Sequence, residues 1–395
     1  MVDRITPNIW TDYPKIPLPQ VLSFIVDNRG KTVPTTETGH KLIATNCIRN
    51  ENLYPSYEKI RFLSDDTYRN WFRAHPVPGD IIFVCKGTPG RVCMVPDPID
   101  FCIAQDMVAL RANEDIVYNR YLLVVLRSAE IQKQIYNYSV GDVIPHFKKS
   151  FFDRLEIPIP PMKIQRAIGD FYFSFSLKIE LNTQINHNLE EQAKAIFKSW
   201  FVDFEPFQDG TFVDSELGQI PAGWNVGTLK DMLEIRYGKD HKKLADGAIP
   251  VYGSGGLMRY AEKALFSGES VLIPRKGTLN NVMRVTGDFW TVDTMFYSVP
   301  KKAGAAKYTY HILSALDLAS MNSGSAVPSM TTDILNAIKI VLPAENVLKE
   351  FDRLTSFFWE TIETNKMESQ RLAQLRDALL PKLMSGEIDV SEVEI

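Results

Sequence analysis

The chain has 395 residues, of which 45% are hydrophobic and 23% are charged, so it is long enough for two or three domains with ordinary cores. No apolar run approaches the ~18 residues that a membrane-spanning helix needs, and MVDRITPNIW at the start lacks the apolar stretch of a signal peptide, so we expect a cytoplasmic location. The formal net charge of −4 argues against a strongly basic nucleic-acid binder, but the charge is uneven: 216–307 is basic and 344–395 is acidic.

Cysteine usage excludes a disulfide framework and a zinc knuckle. All the cysteines lie in the first third of the chain, and no two of them form a C-x-x-C pair. We interpret the following residues as buried or inactive thiols: Cys47, Cys85, Cys93 and Cys102.

Residues 1–160 carry short apolar runs separated by clusters of Gly, Pro, Asn and Asp. The runs DIIFVC (80–85) and LEIPIP (155–160) predict strands, and YNRYLLVVLRSAEIQKQI (118–135) predicts a helical stretch. This mixture is typical of a strand-rich α+β globule.

Apolar residues then recur at helical spacing over 163–204, beginning with Ile164, Ile168 and Phe171. A helix of that length spans on the order of 60 Å at ~1.5 Å per residue, so one small globule cannot cover it and its apolar stripe must pack on another helix. A similar stripe begins at Val347. We therefore predict two long helices that pair antiparallel as a coiled coil, with a globule at each end.

Several patterns occur twice in the same order. Trp10 in ITPNIW is echoed by Trp224 in IPAGW, and KGT after the strand GDIIFVC is echoed by KGT after the strand GESVLIPR. We infer a duplicated globule-plus-helix unit with a pseudo-twofold internal repeat. The predicted segments are a first globule at 1–160, a first long helix at 161–207, a second globule at 208–343, and a second long helix with the C-terminal tail at 344–395.

Four aromatic residues stand at the end of the first predicted long helix, in FKSWFVDFEPF: Phe197, Trp200, Phe201 and Phe204. Two interpretations stay open. The aromatic side chains complete the core of the following globule, or they form a docking site for helices of a partner protein.

The sequence contains no persuasive catalytic or metal-binding motif. The glycine-rich nucleotide loops, the H-E-x-x-H zinc motif and the G-x-S-x-G nucleophile motif are absent, and the six histidines are scattered singly. DFEPF (203–207) lacks the second proline of the Asp/Asn-Pro-Pro-aromatic motif of amino-methyltransferases. We therefore predict no catalytic residue, metal or cofactor in this chain.

The stretch IPIPPMKIQRAIGDFYFSFSLKIELNTQINHNLEEQAKAIFKSWFVDFEPF closely resembles the conserved region of type I restriction-modification specificity subunits. So do QIPAGWNVGTLKDM, which opens the second copy, and LRDALLPKLMSGEIDV, which closes it. The resemblance covers nearly the full length. It implies that the two globules are target recognition domains, each of which reads one half of an asymmetric bipartite site on double-stranded DNA.

The resemblance also implies protein partners. The two helical segments would separate the recognition domains and dock two methyltransferase subunits, and restriction subunits would join the full complex. Adenine methylation with S-adenosylmethionine and DNA cleavage would then belong to those partners, which agrees with the missing catalytic motifs in this chain.

A basic residue beside a glycine follows an apolar strand at equivalent points of both copies. Such a turn can place a cation and a backbone amide on a phosphate, although a solvated turn that needs a glycine of positive φ has the same sequence. Polar residues nearby could read base edges. The candidate DNA-binding residues are Lys86, Gly87, Thr88, Arg91, His146, Lys148, Lys149, Arg275, Lys276, Gly277, Thr278, Asn280, Asn281 and Arg284.

Two rival hypotheses belong to other functional classes. One is a two-headed scaffold that bridges other proteins through its globules without binding DNA. The other is an enzyme with an unfamiliar site in the first globule, near His75 or Asp106.

Overall fold

The computed structural model shows two compact units, each formed around one of the predicted globules. The first unit comprises 1–185 with 364–395, and the second comprises 186–363. Within the described part of the chain, no helix is long and apolar enough to cross a membrane. The described residues are 7–28, 32–141, 143–321 and 329–389.

The first unit combines short strands with short helices before the first long helix begins. Its strands are β1 (Lys15–Pro17), β2 (Leu22–Val26), β3 (His40–Ile43), β4 (Arg61–Leu63), β5 (Ile81–Val84), β6 (Val92–Met94), β7 (Phe101–Ile103), β8 (Met107–Ala112) and β9 (Glu156–Pro158). Its α-helices are α1 (Asp65–Asn70), α2 (Asn119–Arg127), α3 (Ala129–Tyr138) and, as far as Ile185, the long α4 (Met162–Phe201). Its 3-10 helices are Leu18–Val21, Thr45–Cys47 and Lys149–Arg154.

The second unit begins inside α4 and ends inside the second long helix. Its strands are β10 (Phe212–Ser215), β11 (Gly218–Pro221), β12 (Asn225–Thr228), β13 (Leu233–Tyr237), β14 (Ile249–Gly253), β15 (Gly256–Ala261), β16 (Phe266–Ser267), β17 (Ser270–Pro274), β18 (Met283–Val285), β19 (Asp288–Thr291), β20 (Met295–Pro300) and β21 (Lys339–Leu342). Its helices are the 3-10 helix Glu205–Phe207, α5 (Leu229–Met232), α6 (Ala305–Ala315), α7 (Thr332–Asn336) and, as far as Glu363, the long α8 (Glu345–Ser385).

The two units share one sheet topology. The order β2-β8-β5-β6 in the first unit corresponds to β13-β20-β17-β18 in the second, and β4-β3-β7 corresponds to β15-β14-β19, to which the second unit adds β16. In the second sheet of each unit, β3 and the corresponding β14 each have one antiparallel and one parallel neighbour. An antiparallel pair, β1 with β9 or β12 with β21, brings together the two ends of each globule. The predicted α+β class and internal repeat are confirmed.

The central strands β5 and β17 are buried on both faces and are therefore mostly apolar. Successive side chains of a strand point to opposite faces, and in β5 this sends Ile81 and Phe83 into one core cluster and Ile82 and Val84 into another. In β17 the same alternation places Val271 and Ile273 in one core cluster and Leu272 in another. The predicted strand DIIFVC is therefore a buried one.

The helical stretch expected over 118–135 is divided into α2 and α3 at Ser128. This residue has an extended backbone (φ −62°, ψ 151°), and its hydroxyl accepts a hydrogen bond from the backbone N–H of Ile131 at 3.3 Å. A serine that caps a new helix interrupts the old one, because its hydroxyl replaces a backbone partner.

The long helices α4 and α8 pack together in antiparallel directions, as predicted. In the first unit, Arg376 Nη1 donates to Ser176 Oγ at 3.1 Å, and Asn182 Nδ2 donates to Glu368 Oε2 at 2.7 Å. Position along α8 therefore falls as position along α4 rises. In the second unit the same direction continues with an apolar cluster around Ala193.

The aromatic residues at the end of α4 belong to the core of the second unit. Phe201 is 7% exposed, and its ring centroid lies 4.8 Å from that of Tyr308 and 5.0 Å from that of Phe351. Phe197 is buried in the same cluster, against which two further residues, Trp200 and Phe204, pack while partly buried.

Core packing is therefore the interpretation that the structure supports for this aromatic group. The alternative prediction, that Phe197 and Phe201 dock a partner, is disfavoured because their rings are buried in the core of the second unit. All four cysteines are free and buried, as expected, and burial raises the pKa of Cys102 to about 12.

Candidate nucleic-acid interface

A tight turn follows β5 at the edge of the first unit. The backbone N–H groups of Cys85 and Lys86 both donate to the carbonyl of Asp106, at 2.8 and 3.2 Å, and Gly87 N–H donates to the carbonyl of Pro145 at 2.9 Å. Gly87 has φ +87°, a conformation that a residue with a Cβ rarely adopts. These bonds fix the Lys86 backbone while its side chain stays exposed.

The second unit repeats this turn after β17. The backbone N–H groups of Arg275 and Lys276 both donate to the carbonyl of Thr294, again at 2.8 and 3.2 Å, and Gly277 has φ +85°. The carbonyl of Arg275 accepts from Met330 N–H at 2.8 Å, just as the carbonyl of Cys85 accepts from Phe147 N–H at 2.8 Å in the first unit. The KGT echo in the sequence therefore marks one structural feature that occurs twice.

The turns carry cations that are available to a ligand. Of the residues that the structure describes, none forms an ion pair with Lys86, Lys148 or Lys276, and all three side chains are exposed. A cation on a rigid backbone beside a positive-φ glycine suits a phosphate. The structure therefore has the exposed cation and the positive-φ glycine that the sequence pattern predicted, while contact with DNA stays a prediction.

The first unit brings most of its candidate residues together. Lys86 forms a β-bridge with His146, and this bridge places the loop that carries Lys148 beside the turn. Arg91 N–H donates to the carbonyl of Thr88 at 3.4 Å, which closes the turn from its other side. Lys149 is half-buried and ion-paired with Asp27, so its charge is partly neutralised within the chain.

In the second unit Thr278 is exposed beside the turn, but two neighbouring asparagines have structural partners. Asn280 Nδ2 donates to Asp317 Oδ1 at 3.0 Å, and its Oδ1 accepts from the backbone N–H of Ala319 at 2.9 Å. Asn281 Nδ2 donates to the carbonyl of Ser254 at 2.9 Å. The side chains hold adjacent segments in place, which disfavours the prediction that they read base edges.

Arg284 is enclosed within the second unit. Its side chain is 6% exposed, its Nε donates to Glu269 Oε1 at 2.7 Å, and its guanidinium lies 4.7 Å from the ring centroid of Trp359. This enclosure disfavours the predicted DNA contact, because the sequence shows a basic residue after a turn but not the carboxylate and the indole that enclose it. Arg275 also stacks, at 5.4 Å from the Tyr237 ring, but its side chain is only half-buried.

The proposed enzyme site near His75 or Asp106 has a structural explanation instead. The His75 ring stacks on Tyr68 at 4.3 Å and lies 5.0 Å from the Phe72 ring, and burial lowers the pKa of the imidazole. Asp106 has φ +73° and serves the Lys86 turn through its carbonyl. Among the described residues, no three His, Cys, Asp or Glu side chains are grouped as metal ligands would be.

Comparison with known proteins identifies the family. A family model described as the type I restriction modification DNA specificity domain matches the chain twice, at 38–191 and at 221–374. The chain belongs to this specificity family. Each match covers most of one copy of the repeat, so the chain carries two specificity domains in tandem.

Curated relatives and a solved structure agree with this assignment. The type I restriction enzyme MjaIX specificity subunit of Methanocaldococcus jannaschii is 27% identical over 319 residues, which is 71% of both chains. The HindI specificity subunit of Haemophilus influenzae is 23% identical over 78% of this chain and 86% of the relative. The crystal structure of an S subunit from M. genitalium has a TM-score of 0.58 at 17% identity, over 96% of this chain and 99% of that chain. This last likeness concerns the fold alone.

The family assignment decides between the functional classes that the sequence left open. A specificity-family chain recognises DNA sequence within a restriction-modification system, and the rival hypothesis of a scaffold without DNA binding is not favoured. One feature that the sequence analysis missed is the β14–β15 hairpin, whose turn contacts Asn281. GSGG between two strand-like runs is a hairpin signal that could have revealed it.

Proposed function

We propose that this chain selects the DNA sequence on which a type I restriction-modification complex acts, with each unit reading one half of an asymmetric bipartite site. The observation that carries the proposal is the double occurrence of one sheet frame with the same exposed, cationic glycine turn. Two copies of a reading unit in one chain match a site with two halves. Because the segments around the two turns differ, the half-sites are expected to differ as well.

Within each half-site the turns position the protein and neighbouring side chains specify the sequence. Lys86 and Lys276 bind phosphates, which fixes the register of each unit on the duplex but carries no sequence information. Base discrimination then falls to accessible side chains of the adjoining loops and strands, the half-buried Thr88 and His146 of the first unit among them.

The paired helices α4 and α8 set the separation of the reading units and provide the surface on which two methyltransferase subunits dock. Restriction subunits join the full complex, which acts in the cytoplasm. S-adenosylmethionine and the chemistry belong to the methyltransferase subunit, which takes the target adenine out of the stack. This chain contributes recognition and positioning and needs no cofactor of its own.

Sequencing of modified bases tests the proposal directly. The chain is expressed with its methyltransferase subunits in a host that lacks them, and methylated adenines are mapped. We expect one new motif with two defined, unequal halves separated by unspecified bases, and no motif when this chain is omitted. A continuous motif, or methylation that does not depend on this chain, would contradict the proposal.

A further inference from the structure

The β14–β15 hairpin of the second unit presents an apolar side chain on an edge strand. β15 is the outermost strand of its sheet, and Met258 is 55% exposed. Met258 lies at a β-bulge of β15, because Arg259 pairs with Val251 and Leu257 pairs with Tyr252, and a bulge turns its extra residue out of the regular strand alternation. An exposed apolar residue on an unpaired strand edge favours contact with a further molecule.

The tip of this hairpin lies against the Lys276 turn. Asn281, which follows the turn, donates through Nδ2 to the carbonyl of Ser254 at 2.9 Å. A Cβ on Gly277 would lie 2.6 Å from Ser254 Oγ, so the two turns are in close contact. A ligand held at Lys276 is therefore adjacent to the hairpin.

Two glycines shape the hairpin for close approach. A Cβ on Gly253 would collide with the Met258 sulfur, so Gly253 lets the Met258 side chain lie back across the hairpin toward its tip. Gly255 lies at the tip itself, its φ is outside the left-handed region, and a Cβ there would meet nothing within 4 Å. The fold does not require glycine at 255, whereas a phosphate that approaches the backbone closely would.

We propose that the β14–β15 hairpin enters the DNA major groove and places Met258 against a thymine methyl group. The major groove admits a two-stranded β-ribbon, and thymine is the base that offers an apolar contact there. The neighbouring turn supplies Lys276, a cation without an ion pair among the described residues, so the occupant of this edge is DNA. The inference rests on the proposed function and adds to it the residue that reads one base.

Replacement of thymine by deoxyuridine isolates the methyl contact. The second unit reads the half-site that stays the same when residues 1–160 are exchanged. The probes are duplexes in which each thymine of this half-site, on either strand, is replaced in turn by deoxyuridine. The complex with methyltransferase subunits should bind one of these duplexes about fourfold more weakly, as expected for the loss of one buried methyl group. A half-site without thymine, or one that tolerates deoxyuridine at every position, overturns the inference.

Met258→Ala should bind the thymine and deoxyuridine duplexes equally. Leu257→Ala is the matched control, because Leu257 is the adjacent apolar residue of β15 and is 47% exposed, but it pairs with Tyr252 in the regular ladder while Met258 is the bulged residue. This control should keep the fourfold difference. If Met258→Ala keeps the fourfold difference in affinity between the two duplexes, the inference is overturned. If this variant also loses binding to the methyltransferase subunits, the edge is a protein contact instead.

Gly255→Ala provides a second variant that the fold tolerates. Its thermal midpoint should match or slightly exceed that of the wild type, because alanine fits the site and restricts the unfolded chain. Its DNA affinity should fall severalfold at all sequences, since the added methyl group blocks a phosphate. Unchanged affinity removes the hairpin tip from the interface. Failure of the wild-type complex to recognise any bipartite site would instead overturn the proposed function.

Discussion

The two units have the same strand order but different connections beside their cationic turns. In the first unit, β3 and β4 are joined by 44–60, a segment that includes a 3-10 helix and Tyr57, whose hydroxyl donates to Asp100. In the second unit, the corresponding strands β14 and β15 are joined by only Ser254 and Gly255. The comparison shows that the duplicated frame and its cationic turn are kept while the loops beside them change, as two readers of different sequences require.

The ends of the two long helices show a similar division. α4 ends with Phe201 inside the core of the second unit, and α8 ends with Met384 inside the core of the first unit, at the corresponding point of the repeat. Each globule is therefore completed by the end of the helix that follows the other globule. The helix end contributes an aromatic side chain to one core and a methionine to the other.

Truncation of these two residues should destabilise different units. Phe201→Ala removes a fully enclosed ring and should lower the free energy of unfolding of the second unit by about 3–5 kcal/mol. Met384→Ala should lower that of the first unit by about 2–5 kcal/mol. Calorimetry, with limited proteolysis to assign each transition, checks this. Equal destabilisation of both transitions by either variant would contradict the separation of the two cores.

Acid should weaken the second unit through His311. Burial, together with the positive charges of Arg284 and Lys194, lowers the pKa of this imidazole to about 4. Between pH ~4 and ~6.5 the unfolded chain therefore binds a proton that the folded unit does not, and stability falls as pH falls through this window, by up to about 3 kcal/mol. Urea unfolding across this range should show a slope that His311→Phe reduces. An identical slope in the variant would remove His311 as the cause.

The two turn lysines should make equal and independent contributions to DNA binding. Lys86→Ala and Lys276→Ala should each weaken binding at all sequences and reduce the slope of log affinity against log salt by roughly one unit. Fluorescence anisotropy at several salt concentrations measures both effects, and Lys243→Ala serves as an exposed-lysine control in a different loop. A slope that does not change would show that these turns are only structural.

Glycine replacement should separate the two turns by their surroundings. Gly87→Ala places a Cβ in open space and should destabilise the first unit by about 1 kcal/mol, the strain of a positive φ. Gly277→Ala adds a close contact with Ser254 Oγ and should destabilise the second unit more. Thermal unfolding provides the comparison. A smaller loss for Gly277→Ala would show that Ser254 moves away without resistance.

The sequence predicted the repeat, the long helices and the cationic turns because each of these rests on local pattern. Apolar spacing identifies α4 and α8, and Gly87 and Gly277 mark turns that need positive φ. These signals lie within a few residues of the structure that they specify.

The predictions that the structure disfavours concern residues whose environment is decided by distant segments. Arg284 is enclosed by Glu269 and Trp359, and the Phe201 ring packs on Tyr308 and Phe351. Sequence shows that such residues are basic or aromatic, but not which segments surround them in the fold. Burial is a property of tertiary structure, so exposed and enclosed residues of the same type could not be distinguished.

Exchange of one reading unit tests the independence of the two units most directly. Residues 1–160 are replaced by the equivalent segment of a relative that directs methylation to a different sequence, and adenine methylation is mapped in cells that also express the methyltransferase subunits. Because each unit has its own core and its own cationic turn, we predict that one half of the motif changes while the other half stays the same. A folded, active hybrid that alters both halves of the motif would contradict the independence of the two reading units.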